Sequence, residues 1–88
     1  MALQVTPQPT PNPNAFKFVI AGKRFDRPST YSSAGAARGV PFATALFAIP
    51  EVQSVFCTAD FVTITKTQAG DWGRIVPEAT KALQQNLG

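Results

Sequence analysis

Apolar residues between positions 41 and 49 recur with the spacing of one helix face. Four of them stand at i, i+3, i+4 and i+7: Phe42, Ala45, Leu46 and Ile49. Pro41 suits the first helical position, where its missing N–H costs nothing. Pro50 disfavours helical geometry in the residue before it. The pattern predicts a short helix that begins at Pro41 and ends before Pro50.

The next stretch has the composition of two strands joined by a tight turn. Val, Phe and Thr dominate Val52–Thr58 and Phe61–Thr67, with Ala59 and Asp60 between them. If these two residues form the loop, Thr58 pairs with Phe61. The core face then holds Val55, Cys57, Val62 and Ile64, and the other face holds Phe56, Thr58, Phe61, Thr63 and Thr65. Ala-Asp is not a favoured turn, and a bulge would exchange the faces on one strand.

The N-terminal half alternates between strand-like and turn-like segments. Leu3–Thr6 has the alternation of a short edge strand, and Ala15–Ile20 has strand composition. Prolines at every second position from Pro7 to Pro13 predict a stiff, extended segment. This segment is a linker or a ligand for a proline-binding domain, or equally an ordered loop laid across the fold, and we prefer the loop. Further on, we expect a short antiparallel return at Lys23–Phe25, a break at Asp26–Pro28, and a loop or brief strand at Ser29–Ser33.

The C-terminal segment has the pattern of an amphipathic helix that runs to about Leu87. Its apolar residues stand at i, i+3, i+4, i+7 and i+11: Trp72, Ile75, Val76, Ala79 and Leu83. Asp71 is a good N-cap, because its carboxylate can accept hydrogen bonds from the first free N–H groups. Pro77 either kinks this helix or marks a fresh start.

Composition and charge narrow the class of protein. The 88 residues should form one domain, residues 1–88. The net charge is +3, and its only local concentration is Lys23, Arg24 and Arg27. For so small an excess, a solvated loop is favoured over a nucleic-acid contact, so nucleic acid is not the expected partner.

The scarcity of metal-binding side chains excludes several kinds of site. Cys57 is the one cysteine and there is no histidine, so an internal disulfide and a His/Cys zinc site are excluded. An iron–sulfur cluster usually takes four thiolates, so we expect no cofactor. No apolar run reaches ~18 residues and the N-terminus is polar, so we expect no membrane span and a cytoplasmic protein.

Three motifs together resemble one known family. Thr10–Phe18 is similar to the TPNPN-x-x-KF opening of the N-terminal domain of Nfu/NifU-like iron–sulfur scaffold proteins. Pro41–Lys66 is similar to its second motif, a Pro-led helix ending in LF-x-I, then V-x-x-V-F and DF-x-T-[IV]-x-K. Trp72, Ile75 and Pro77 fit its W-x-x-[IL]-x-P helix. The order of the motifs is also that of the family.

The resemblance implies an α+β fold, a two-layer sandwich with an antiparallel sheet of about four strands and two helices on one face. It also implies a role near iron–sulfur cluster assembly or delivery. In full-length members, a C-x-x-C motif in a separate C-terminal domain binds the cluster, and this chain has no such motif, so a stand-alone domain without its own cluster site is expected. Glu51 stands where the family usually has glycine, and Phe42 where it usually has leucine.

The expected function is a non-catalytic protein-interaction module that docks onto iron–sulfur assembly proteins. Its candidate partner-binding residues are Thr10, Pro11, Asn12, Pro13, Asn14, Lys17, Phe56 and Phe61. No catalytic or metal-binding residues are assigned, since no motif pairs two of the carboxylates. This hypothesis predicts that replacing Asn12 and Asn14 by alanine weakens partner capture without unfolding the domain.

Each candidate has a structural alternative. Asn12 and Asn14 can cap turns at the start of the strand. Phe56 and Phe61 form an exposed patch if the proposed register holds, and are core residues if it does not. Lys17 and Lys66 are most often solvated strand lysines that discourage edge pairing.

Two other functions compete with the leading one. The first is weak nucleic-acid binding by Lys23, Arg24, Arg27 and the aromatic residues of the sheet. The second is an enzyme that uses Cys57, although a buried free cysteine usually behaves as a small apolar residue.

Overall fold

The computed structural model describes residues 4–22 and 24–87. Within them, an antiparallel sheet carries a layer of helices. The elements in chain order are β1 (Val5–Pro9), β2 (Ala15–Ile20), β3 (Phe25–Tyr31), α1 (Pro41–Phe47), β4 (Val52–Ala59), β5 (Phe61–Lys66) and α2 (Trp72–Leu87).

The sheet has the strand order β1-β2-β5-β4-β3, with β5 in the middle and every neighbouring pair antiparallel. The buried core joins one face of this sheet to both helices. The α+β sandwich expected from the sequence is therefore confirmed. The strand beyond the expected four is β1, which pairs with β2 and extends into the proline-rich segment.

The β4–β5 hairpin has the register that the sequence suggests. Thr58 pairs with Phe61, and Cys57 with Val62. Ala59 begins the turn with φ +50°, in the left-handed region that tight hairpin turns favour at this position. The core face is confirmed, because its members are nearly inaccessible to solvent: Val55, Cys57, Val62 and Ile64.

Both helices press an apolar face onto that side of the sheet. In α1 the buried residues are Phe42, Ala43 and Leu46, so Ala43 and not the predicted Ala45 lies on the buried face. In α2 they are Ile75, Ala79 and Leu83. The Asp71 carboxylate accepts a hydrogen bond from the Gly73 N–H at 3.0 Å, as an N-cap should. The helix continues through Pro77 without a new start.

The expectation for residues 23–33 is wrong in two respects. The third strand pairs with β4 rather than returning along β2. The expected break at Asp26–Pro28 is part of β3, where the pairing register shifts between Phe25 and Ser29. Such a bulge admits Pro28 into a strand, because proline cannot donate a regular ladder bond. Lys23 lies outside the described residues.

Prolines stand in both edge strands. β1 carries Pro7 and Pro9, and β3 carries Pro28. Proline is tolerated at an edge when the position of its missing N–H faces solvent, and it weakens that edge as a template for a further strand.

The chain enters β4 through a strained residue. Glu51 has φ +73°, in the left-handed region that costs a residue with a Cβ roughly 1–2 kcal/mol. Its carboxylate accepts a hydrogen bond from the Thr67 hydroxyl, and its carbonyl accepts one from the Thr67 N–H at 2.9 Å. The family that the sequence resembles usually has glycine at this position, and the positive φ explains why, because glycine adopts it without strain.

We expect Glu51→Gly to be more stable than Glu51→Ala by about 1 kcal/mol. Both variants lose the carboxylate bond to Thr67, and only the glycine variant also loses the backbone strain. The free energies of unfolding, measured by urea denaturation, make the comparison. Equal stability of the two variants would show that the residue is not strained in solution.

Candidate functional site

Neither helix of the described residues lies on the second face of the sheet, and strand register aligns the side chains of this face in three rows. The first row is Thr6, Val19, Phe61 and Thr58; the second is Gln8, Lys17, Thr63, Phe56 and Thr30; the third is Ala15, Thr65 and Ser54. We call this the open face. Most of its positions are Thr, Ser or Gln. These side chains are compatible with a half-exposed strand and expose little apolar area.

Four residues stand out on this face and are called the open-face patch: Lys17, Val19, Phe56 and Phe61. All four are half-buried. The Lys17 ammonium lies over the Phe61 ring, 4.4 Å from its centroid. A cation over a ring face is attracted by about 0.5–1 kcal/mol at an exposed site, so Phe61 favours this position of the charge. The structure thus places Lys17, Phe56 and Phe61 on one face, with Lys17 and Phe61 in contact.

Residues 10–14 form a loop that is bonded within the domain. The Thr10 hydroxyl lies 3.0 Å from the carbonyl oxygens of Asn12 and Ala15, either of which can accept its proton. The Asn12 Oδ1 accepts a hydrogen bond from the Asn14 N–H at 2.9 Å. This is the turn-capping arrangement given above as the alternative to partner recognition.

A second set of bonds ties this loop to the end of β5 and the start of α2. The Lys66 ammonium donates to the Asn14 Oδ1 at 3.0 Å and to the Thr67 carbonyl at 3.3 Å. The Trp72 indole N–H donates to the Pro13 carbonyl at 2.9 Å. The ammonium also lies 5.9 Å from the centre of the Trp72 ring. We call Pro13, Asn14, Lys66 and Trp72 the clamp.

Lys66 is a buried lysine, only 9% exposed. Its stem packs so closely on Gly70 that a Cβ there would lie 3.0 Å from Lys66 Cδ. The expectation that Lys17 and Lys66 discourage edge pairing is wrong, because β2 and β5 are interior strands. The expected solvation is also wrong for Lys66, whereas Lys17 is half-buried. Sequence reasoning missed the clamp, although one signal was present: Lys66 continues the alternation of Val62 and Ile64 on the core face.

The loop and the patch are distinct places on the sheet. The loop leads into Ala15, which pairs with Thr65, whereas Phe61 pairs with Val19. Four residues of strand separate these two pairs, about 13 Å. Pro11 and Asn12 are exposed at one end, and the Phe61 side chain lies toward the other.

Cys57 is a core residue and a poor nucleophile. Its side chain is 2% exposed. Burial raises the pKa of the Cys57 thiol above its ordinary value, against a smaller opposing effect of hydrogen bonds with Ser29. A reactive cysteine needs the opposite, a lowered pKa and access to solvent.

The described residues offer few other features that could form a metal, nucleic-acid or membrane site. They contain no group of three or more His, Cys, Asp and Glu residues able to hold a metal ion. Of the basic residues at 23–27, the structure describes the side chain of Arg24 alone, which is exposed. None of the helices described is both long and apolar enough to cross a bilayer.

Comparison with known proteins identifies relatives over nearly the whole chain. The family model of the scaffold protein Nfu/NifU N terminal matches residues 5–88. A Drosophila willistoni protein named NFU1 iron-sulfur cluster scaffold homolog, mitochondrial, is 42% identical over 73 residues, which are 81% of this chain and 25% of that protein. Conserved virulence factor C of Staphylococcus haemolyticus is 36% identical over 76 residues, covering 86% and 20% of the two chains.

A solved structure agrees with the fold. The NifU-like protein of Saccharomyces cerevisiae superposes with a TM-score of 0.86 at 24% identity, covering 98% of this chain and 79% of that one. The chain spans about a quarter of the length of the curated NFU1 relatives it matches.

We expect Asn14→Ala to destabilise the domain by about 1–3 kcal/mol, because the buried Lys66 ammonium loses an acceptor. Adding Lys66→Met removes the buried donor, so the double variant should lose less than the sum of the two single variants. Urea denaturation monitored by Trp72 emission gives all four stabilities. Strict additivity would show that the two side chains do not interact. Because of this coupling, weaker partner capture by an Asn14 variant would not by itself identify a contact.

We expect Cys57 to resist Ellman's reagent at pH 8 in the native state and to react fully in denaturant. We also expect wild-type stability to fall relative to Cys57→Ala as pH rises past about 9, the thiol's ordinary pKa. Above that pH the unfolded chain releases a proton that the folded chain retains, so unfolding is favoured. Rapid native labelling, or a stability difference independent of pH, would contradict the burial of this thiol.

Proposed function

Since the chain belongs to the family of Nfu/NifU N-terminal domains, we propose that it acts as a non-catalytic protein-interaction module in iron–sulfur cluster assembly or delivery. One observation carries the interaction role. The open face presents half-buried Phe56 and Phe61 beside Lys17, on a sheet whose opposite face supplies the core. Aromatic side chains that the core does not require are typical of an interface.

The cluster is cargo that this domain does not ligate. Its 88 residues contain one thiol, which is buried, whereas a cluster usually takes four. The module would act on proteins that hold or receive the cluster. Thr10–Asn14 joins the proposal as a second contact surface, with Pro11 and Asn12 exposed. The clamp would keep this loop in one conformation, which lowers the entropic cost of binding.

The relatives support a module that serves more than one kind of protein. The fly relative is named as an iron–sulfur cluster scaffold homolog, whereas the staphylococcal relative has a different name and matches over a similar stretch. Both are longer than the match. A cytoplasmic location stays a prediction from the sequence, and the fly relative is named as mitochondrial.

Affinity capture from an anaerobic lysate of the source organism tests this proposal. The tagged domain should enrich cluster scaffolds or iron–sulfur apoproteins, identified by mass spectrometry. The variant with Phe56→Thr and Phe61→Thr should lose about tenfold or more of this enrichment, since buried aromatic anchors dominate interface energies.

Phe47→Thr is the matched control. Phe47 is a half-buried phenylalanine that packs against the core, away from the open face, so its loss lowers stability without altering the patch. It should retain capture under conditions where it is folded. Empty captures, or equal captures by wild type and the double variant, would overturn the proposed role of the patch.

A further inference from the structure

The form of the open face indicates how a partner approaches it. A partner that adds a strand needs a free edge, and both edges of this sheet carry proline, Pro7 and Pro9 in β1 and Pro28 in β3. The apolar residues of the patch project from the interior strands β2, β4 and β5. Docking therefore takes place on the face, through side chains.

The positive charge of the open face indicates which side chains a partner needs. Lys17 is the charged residue in the three rows, and no Asp or Glu occupies a paired position of the described open face. Its ammonium lies over the Phe61 ring, inside the surface that a partner would cover. A partner that covers Phe56 and Phe61 must also cover this cation. A carboxylate on the partner compensates for the water that the cation loses, whereas an apolar or basic group leaves it unpaired.

The dimensions of the open face match those of one bound helix. Four spacings between strands make the face about 19 Å wide, and the outer rows lie about 13 Å apart. A helix is about 10 Å in diameter, and about 13 residues of it span the width. We infer that the open-face patch binds an amphipathic helix that carries carboxylates beside its apolar stripe. This inference names the kind of partner within the proposed function and rests on it.

Two other occupants are disfavoured by the same observations. A second copy of this chain, face to face, would bring two Lys17 cations into one interface, where like charges repel. A nucleic acid would stack its bases on Phe56 and Phe61, as on other sheets with exposed aromatic residues. The Lys17 ammonium already occupies one face of the Phe61 ring.

The experiment is a selection from displayed helical peptides about 16 residues long, a length at which an isolated helix begins to be stable. Leucines stand at i, i+3, i+4 and i+7, and the flanking positions vary among Glu, Gln and Lys. We expect enriched peptides to carry Glu beside the leucines. In amide NMR spectra, they should shift residues of β2, β4 and β5.

Variants of the domain then assign the contacts of an enriched peptide. Lys17→Gln should weaken its binding about three- to fivefold, as expected for a surface charge pair. Phe61→Thr should weaken it about tenfold or more. Lys81→Gln is the matched control, because Lys81 is an exposed lysine on α2, and it should leave affinity unchanged. Trp72 emission and urea denaturation check that every variant is folded.

Several outcomes would overturn the inference. They are the absence of enrichment, enrichment of Lys or of no charge, and amide shifts outside the open face. Binding of a twelve-nucleotide thymidine oligomer through Phe56 and Phe61, with steep salt dependence, would assign the face to nucleic acid instead. Concentration-dependent dimerisation abolished by Phe61→Thr would assign it to a second copy.

The two proposals fail separately. The peptide selection contains no assembly protein, so an acidic peptide on the patch combined with an empty lysate capture would uphold this inference and reject the assembly role. Capture of cluster proteins through the patch, without any preference for acidic peptides, would uphold the assembly role and reject this inference.

Discussion

The register of β5 is the constraint on which the rest of the structure depends. This strand pairs with β2 on one side and β4 on the other. Its register therefore determines which side chains of the three central strands lie on the core face and which lie on the open face. Val62 and Ile64 point to the helices, and Phe61 and Thr63 point away. A slip of one residue would exchange the two sets. It would expose the core and bury the patch, so stability and the candidate surface are determined together.

The clamp places residues from all three sequence motifs in one contact. Pro13 and Asn14 belong to the first motif, Lys66 ends the second and Trp72 begins the third. A buried ammonium is tolerated only when its protons find acceptors, and here two neutral oxygens serve. These motif residues are therefore explained by the seating of a proline-rich loop. Among the candidate partner-binding residues, Lys17, Phe56 and Phe61 are those least explained by hydrogen bonds within the domain.

Local patterns in the sequence predicted the elements whose partners are near in the chain. The β4–β5 hairpin and the two helices follow from periods of 2 and 3.6 and from Pro41 and Asp71, although Ala59-Asp60 is not a favoured turn. The pairing of β3 could not be obtained in this way, because its partner follows only after α1 and its register is interrupted by a bulge. Lys66 was misassigned for a related reason. Its charge suggested solvent, while its place in the alternation indicated the core, and only the distant Asn14 and Trp72 decide between the two.

The division of the sheet into two faces explains why a small domain can leave Phe56 and Phe61 partly exposed. The core draws its apolar area from alternate residues of the strands and from both helices, and Phe56 and Phe61 are not among its residues. Threonines fill half of the other positions on the open face, and their branched side chains suit a strand while exposing little apolar area. Prolines weaken both edges as templates for aggregation. Phe56 and Phe61, with the neighbouring Val19, are therefore the main partly exposed apolar area of this face, and the most direct physical explanation of that area is a partner that covers it.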